Sequence, residues 1–194
     1  MEIRIHTQTG SVETFFQHTP TLVTRILKGS QSTKVFATHI ITIAGDYSLT
    51  TFVSARVNRV DLISEDLPLW KHPPDILDVV ELSEDEFRER SHLNDPARLE
   101  RRRIPRQTGE SAMVFGELEM TGGTRVFLAA KIQVGLPAER LQRFRTLLSA
   151  PAVHFRMAQG GTAILNLKNL VRFTCNPGPE IAPIDAWPAH HRSR

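Results

Sequence analysis

Cysteine is nearly missing from this chain: Cys175 stands alone among 194 residues. One thiol excludes an internal disulfide and any zinc or iron–sulfur site built from several thiolates. Long apolar runs are missing as well. No stretch approaches the roughly 20 apolar residues needed to span a bilayer. The first residues, Met1 to His6, are not followed by the apolar core of a secretory leader. The expectation is a soluble, cytoplasmic protein without membrane contact. Base-stacking aromatics are few, with one Tyr, two Trp and Phe residues at core-like spacings, so nucleic acid is a disfavoured partner.

Catalytic signatures are absent too. No G-x-S-x-G elbow, phosphate-binding P-loop or strand–G-x-G-x-x-G–helix occurs. The eight histidines show no H-E-x-x-H or similar spacing, and Asp46, Asp61 and Asp66 show no pairing that assigns an acid and a base. No cofactor or metal is expected, and no catalytic residue is assigned.

What is present is ordinary globular material, 40% hydrophobic and 23% charged with a net charge of +3. Residues 161–173 read as a strand, a tight turn at residues 167–169 and a second short strand. A fainter version occupies residues 47–62, with Arg59 and Arg172 at corresponding places. Ahead of each lies a proline-started helix, Thr19-Pro20 opening one and Leu136-Pro137 the other. In the first, Thr19 is the expected N-cap and Gly29 the terminator. Leu22, Val23, Ile26 and Leu27 share one face of it. Leu141, Phe144, Leu147 and Leu148 do so in the second.

Alternation of Ile3, Ile5 and Thr7 with polar neighbours predicts an N-terminal strand. Residues 12–17 fit either a short helix or an extended piece. The β-branched run 35–43 predicts a strand turning at Ala44-Gly45-Asp46. Residues 112–120 and 125–134 predict a hairpin around Gly122-Gly123. Ser83 with Glu86 forms a capping box ahead of a helix, and a further helix is expected over residues 97–103.

The fold class expected is therefore α+β and β-rich: two similar small sheet- or barrel-like units, each with one packed helix, suggesting an internal duplication. Unit 1 spans residues 1–64, a charged and partly helical connector 65–109, unit 2 110–176, and a proline-rich mobile tail 177–194. Ile181, Ile184 and Trp187 could anchor that tail on the body. Unpaired edges of such short sheets favour pairing between the units or homodimerisation.

The densest charge feature is in the connector, where Arg98, Arg101, Arg102, Arg103 and Arg106 fall within nine residues. Guanidinium forks of this density suit phosphates or other anions, although acidic residues 81–89 upstream could pair with them instead. Residues 102–106 resemble the RxxxR start of PilZ domains, a family that binds cyclic di-GMP. The D/N-x-S-x-x-G motif that completes the site in that family does not occur between Gln107 and Arg194. The strand–turn–strand ending also resembles the last strands of SH3-like or Sm-like barrels, and the Sm-like likeness implies RNA binding. A second basic surface is expected from Arg140, Arg143, Arg145 and Arg156.

The functional expectation is a non-catalytic, bacterial-type regulatory or interaction protein, binding an anionic small molecule or a protein partner through the arginine-rich connector. The alternatives are a small enzyme with its site in the cleft between the units, or a PilZ-like cyclic-dinucleotide or RNA-binding protein.

Overall fold

The computed structural model describes residues 1–178, apart from Gln31, Asp66, Pro68, Leu69, Asn94, Pro96 and residues 98–107, together with residues 183–187. The chain is mixed α+β and strand-rich. The elements are strands β1 (Glu2–Thr7) and β2 (Val12–Phe16), helices α1 (Pro20–Gly29) and α2 (Ser32–Val35), strands β3 (Ile40–Ala44) and β4 (Leu49–Val53), a 3₁₀ turn (Ser54–Arg56) and β5 (Val57–Ile63). They continue with β6 (Ile76–Leu82), α3 (Glu84–Ser91), β7 (Ser111–Met120), β8 (Arg125–Gln133), α4 (Pro137–Ser149), β9 (Ala152–Arg156), β10 (Thr162–Asn166), a second 3₁₀ turn (Leu167–Asn169) and β11 (Leu170–Asn176).

Among the described residues nine strands form one sheet in the order β11-β7-β8-β6-β9-β10-β5-β1-β2, and β3 and β4 form a separate hairpin. Of the sheet- or barrel-like units expected from the sequence, the barrel-like form is not what forms: the sheets do not close into a barrel. The physical cause is the antiparallel pairing of β5 with β10, Val60 opposite Ile164. It satisfies the exposed edges of the two stretches against each other, as edge strands require. An element order of hairpin, proline-started helix, hairpin, 3₁₀ turn and strand occurs twice, with α2 as an extra helix in the first. In both, the last strand pairs antiparallel with the first, β5 with β1 and β11 with β7. β6 has no counterpart and inserts between β8 and β9.

Side-chain alternation puts apolar groups on both faces of this sheet. In β10, Ile164 joins Ile3, Ile5, Val60 and Leu62 in one buried cluster. Its neighbours Ala163 and Leu165 join Phe155, Leu118, Met120 and Leu128 in another. α1, the turn after α2 and the β3–β4 hairpin cover the first cluster through Leu27, Phe36 and Phe52. A third cluster lies under α3, where Phe87 meets Phe115 and Phe127.

For residues 12–17, where the sequence fits either a helix or a strand, the structure has a strand over Val12–Phe16. Several local expectations hold. Ser83 Oγ accepts from the Glu86 N–H at 3.2 Å and the Glu86 carboxylate accepts from the Ser83 N–H at 2.9 Å, which is the capping box. Gly122 and Gly123 both take positive φ, as the hairpin turn requires. Others are corrected. Thr19 precedes α1 without a side-chain cap; its own N–H instead donates to Gln17 Oε1 at 2.9 Å. Gly29 lies inside the helix, and Ser30 closes it with its hydroxyl on the Ile26 carbonyl. The run 35–43 is not one strand, because Phe36 turns inward to the first cluster and leaves only Ile40–Ala44 extended. Ile184 and Trp187 are 99% and 93% exposed and do not dock on the body. The helix expected over 97–103 and most of the tail lie outside the described residues. Among the described residues no helix is long and apolar enough to cross a membrane.

Candidate functional site

The β5 strand begins directly after the first 3₁₀ turn, and its period of two sends Val60 and Leu62 into the first cluster while Arg59 and Asp61 face the other way. β1 lies alongside with His6 opposite Arg59. These registers bring together side chains far apart in the chain. His6 Nε2 lies 2.8 Å from Asp61 Oδ2, and Arg59 Nε donates to Asp61 Oδ1 at 2.5 Å. From β6, Glu81 accepts both terminal guanidinium nitrogens of Arg59, one of them at 2.9 Å. The guanidinium also sits over the Phe155 ring, 5.5 Å from its centroid.

The network is largely removed from water, with the Asp61, Arg59 and Glu81 side chains only 2%, 12% and 18% exposed. Burial works against the Asp61 charge, but the hydrogen bond from His6 and the adjacent Arg59 outweigh it and hold the carboxyl below its ordinary range. Burial likewise opposes the Arg59 charge and is outweighed by Glu81 and Asp61, leaving its pKa above the usual arginine value. Both groups are therefore ionised at neutral pH.

A cavity of about 170 Å³ opens beside this network, walled by His6, Thr7, Asn58, Arg59, Thr124 and Arg125 among others. It lies where the early strands meet β7, β8 and β10. The junction is bound by buried asparagines. Asn58 Nδ2 donates to the Thr121 carbonyl at 2.7 Å. Asn166 Nδ2 donates to the Ser54 and Val57 carbonyls, and Asn169 Nδ2 also reaches Val57. The two 3₁₀ turns are thus tied to each other. The charged groups at the cavity all have internal partners: His6 has Asp61, Arg59 has Asp61 and Glu81, and Arg125 has Glu84 and Glu117.

A second polar cluster lies on the other side of β9. The His72 and His154 rings stack 4.4 Å apart, with Trp70 edge-on to His154 at 5.5 Å. Burial, the main cause in each, holds both imidazoles below their ordinary pKa. Asp78 and Arg156, 78 positions apart in the chain, form an ion pair at 2.5 Å and act on the His72 charge with opposite signs.

Arg98, Arg101, Arg102, Arg103 and Arg106 lie outside the described residues. The second basic surface is largely matched by acids: Arg143 lies 3.0 Å from Asp75, Arg145 3.8 Å from Asp185, and Arg156 meets Asp78. His39 is exposed and not in a strand, whereas His154 is buried in β9. Burial pushes the Cys175 thiol above its ordinary pKa. Sequence reasoning missed the His6–Asp61 pair because its members are 55 positions apart. The alternation in residues 59–62 was the available signal, since it places two opposite charges on one face of a strand otherwise read as core. Comparison of the chain with models of known protein families, with curated proteins and with solved structures finds no match.

Proposed function

We propose that this is a non-catalytic cytoplasmic regulatory or interaction protein built from two related halves, with the polar junction between them as a rigid frame. One observation supports this most: the charged groups around the junction cavity are matched to internal partners, so the network holds strands together rather than leaving a base free for chemistry. Contact with an anionic small molecule or acidic partner falls in this reading to the arginine run 98–106. Calorimetric titration of the full chain with inorganic pyrophosphate and with cyclic di-GMP tests that part. Binding of either that is lost in R102A/R106A supports it, and no heat with either probe removes the anion from the proposal. Superposition of residues 20–62 on 137–174 tests the relation between the halves, and failure to share one β-rich unit removes it.

A second reading, a small enzyme, is favoured by one feature: His6 lines the cavity with a buried carboxylate 2.8 Å from its Nε2, which is how an imidazole is oriented for proton transfer. Turnover of generic ester or phosphoester substrates that disappears in His6→Gln would carry this reading over the first.

A further inference from the structure

The two ends of the nine-stranded sheet are finished differently. β11 carries the exposed Arg172, has a register shift between Leu170 and Arg172, and is followed at once by Pro177. Charge, irregular register and proline are the devices that stop an edge strand from pairing onward. β2 at the other end has none of them apart from Glu13. It is five residues long, in unbroken register with β1, and among the described residues pairs with β1 alone. Val12 and Phe16 are 50% and 63% exposed.

We propose that β2 is a homodimer interface, pairing antiparallel with β2 of a second copy across a two-fold axis at Thr14. The composition of the strand carries the choice of a second copy as occupant. Centred on Thr14, antiparallel pairing sets Val12 opposite Phe16 of the other copy, twice, and Thr14 opposite itself. Glu13 then faces Phe15, so no like charges meet. Aromatic with β-branched and Thr with Thr are favourable cross-strand pairs, about 4.5–5.5 Å apart at Cβ. An isologous contact must be complementary to itself, and this strand is.

A five-residue edge alone falls short of the roughly 800 Å² per partner of a stable interface. The β3–β4 hairpin packs against β2 through Phe52, whose ring meets Phe15 edge-on at 6.0 Å. Its opposite face, with Ile40, Thr42, Ala44, Leu49, Thr51 and Val53, turns away from β2 and adds nothing to the strand pairing, so the dimer is expected to be concentration-dependent.

The test is the mass of the full chain in solution by light scattering at tens of micromolar, with Thr14→Lys and Thr14→Glu as variants. Wild type should run at twice the 21.9 kDa chain mass. Each variant alone should run as a monomer, since it sets like charges face to face at the axis. An equimolar mixture of the two should recover the dimer mass. Circular dichroism melts of both variants check that they fold; Thr14 is exposed, so cooperative melts are expected, below that of the wild type by the stability the dimer contributes. A monomeric wild type, variants that stay dimeric, or folded variants that fail to associate when mixed would each overturn the proposal.

Discussion

Arg59 and Arg172 stand three residues past their respective 3₁₀ turns, yet they do different work. Arg172 lies on the outside of the sheet in a charged ladder with Glu117 and Glu119, its side chain 53% exposed. Exposed pairs contribute about 0–1 kcal/mol, so Arg172→Ala should move the urea midpoint very little. Arg59→Leu takes the guanidinium from two shielded carboxylates, Glu81 and Asp61, and leaves Asp61 with His6. Breaking a buried pair costs about 3–5 kcal/mol, and equilibrium unfolding of the two variants side by side reads the difference. The histidine stack supplies a pH dependence. Burial lowers the folded-state pKa of His72 and His154, so the unfolded chain binds protons first as the pH falls through about 6.5. Stability should be flat above that value and decline from about pH 6.5 towards 5, with His154→Phe reducing the slope while keeping a ring beside Trp70. Asp61 acts in a lower window. Its folded pKa is below the ordinary carboxylate value, so its contribution is present above about pH 4 and is lost on further acidification.

At the scale of elements, the strand–turn–strand of residues 161–173 acts as a clasp as well as a piece of core. Ile164 and Leu165 fill opposite clusters, while Asn166 and Asn169 bind the other 3₁₀ turn. Asn166→Ala removes two hydrogen bonds, at about 0.5–1.5 kcal/mol each, while Ser54 O keeps the Val57 N–H and Val57 O keeps Asn169 Nδ2. Lys168→Ala, exposed at the centre of the same turn, should stay within about 0.5 kcal/mol. Chemical denaturation of both compares them directly. The β7–β8 turn is held as closely: Gly122 has φ +89, and a Cβ there would run into the Gln8 carbonyl oxygen of the β1–β2 turn. Gly122→Ala should therefore speed amide exchange at residues 7–11 as the two turns separate.

For the whole molecule, the consequence of the β5–β10 pairing is cooperativity. Neither stretch completes its buried clusters alone, because Ile164 of β10 lies in the cluster of β1 and β5, and Ile63 of β5 packs on the cluster of β7 and β8. Unfolding followed by tryptophan fluorescence and by far-UV dichroism should give coincident transitions. A fragment of residues 1–64 should show the collapsed amide dispersion of an unfolded chain by NMR.

Local signals that complete themselves within a few residues were legible. The capping box at Ser83, the proline starts at Pro20 and Pro137, the Gly122-Gly123 hairpin and the turn at residues 167–169 each follow from short-range sterics and hydrogen bonding. β6 was not legible, because the register shift between Ile76 and Asp78 interrupts its alternation and Pro73-Pro74 suggests an irregular connection. The expected ligand arginines fall outside the described residues, and the site that could be described was hidden by its long separations.

Sequence alone determined the α+β, strand-rich character and the repeated strand–turn–strand. Period-two alternation and turn chemistry are properties of adjacent residues. Only the tertiary structure decided that nine of the described strands join in one open sheet, and that His6, Arg59, Asp61 and Glu81 converge on one network. Strand order and cross-strand neighbours depend on which edges meet and which apolar faces they bury together, and those energies belong to residues far apart in the chain.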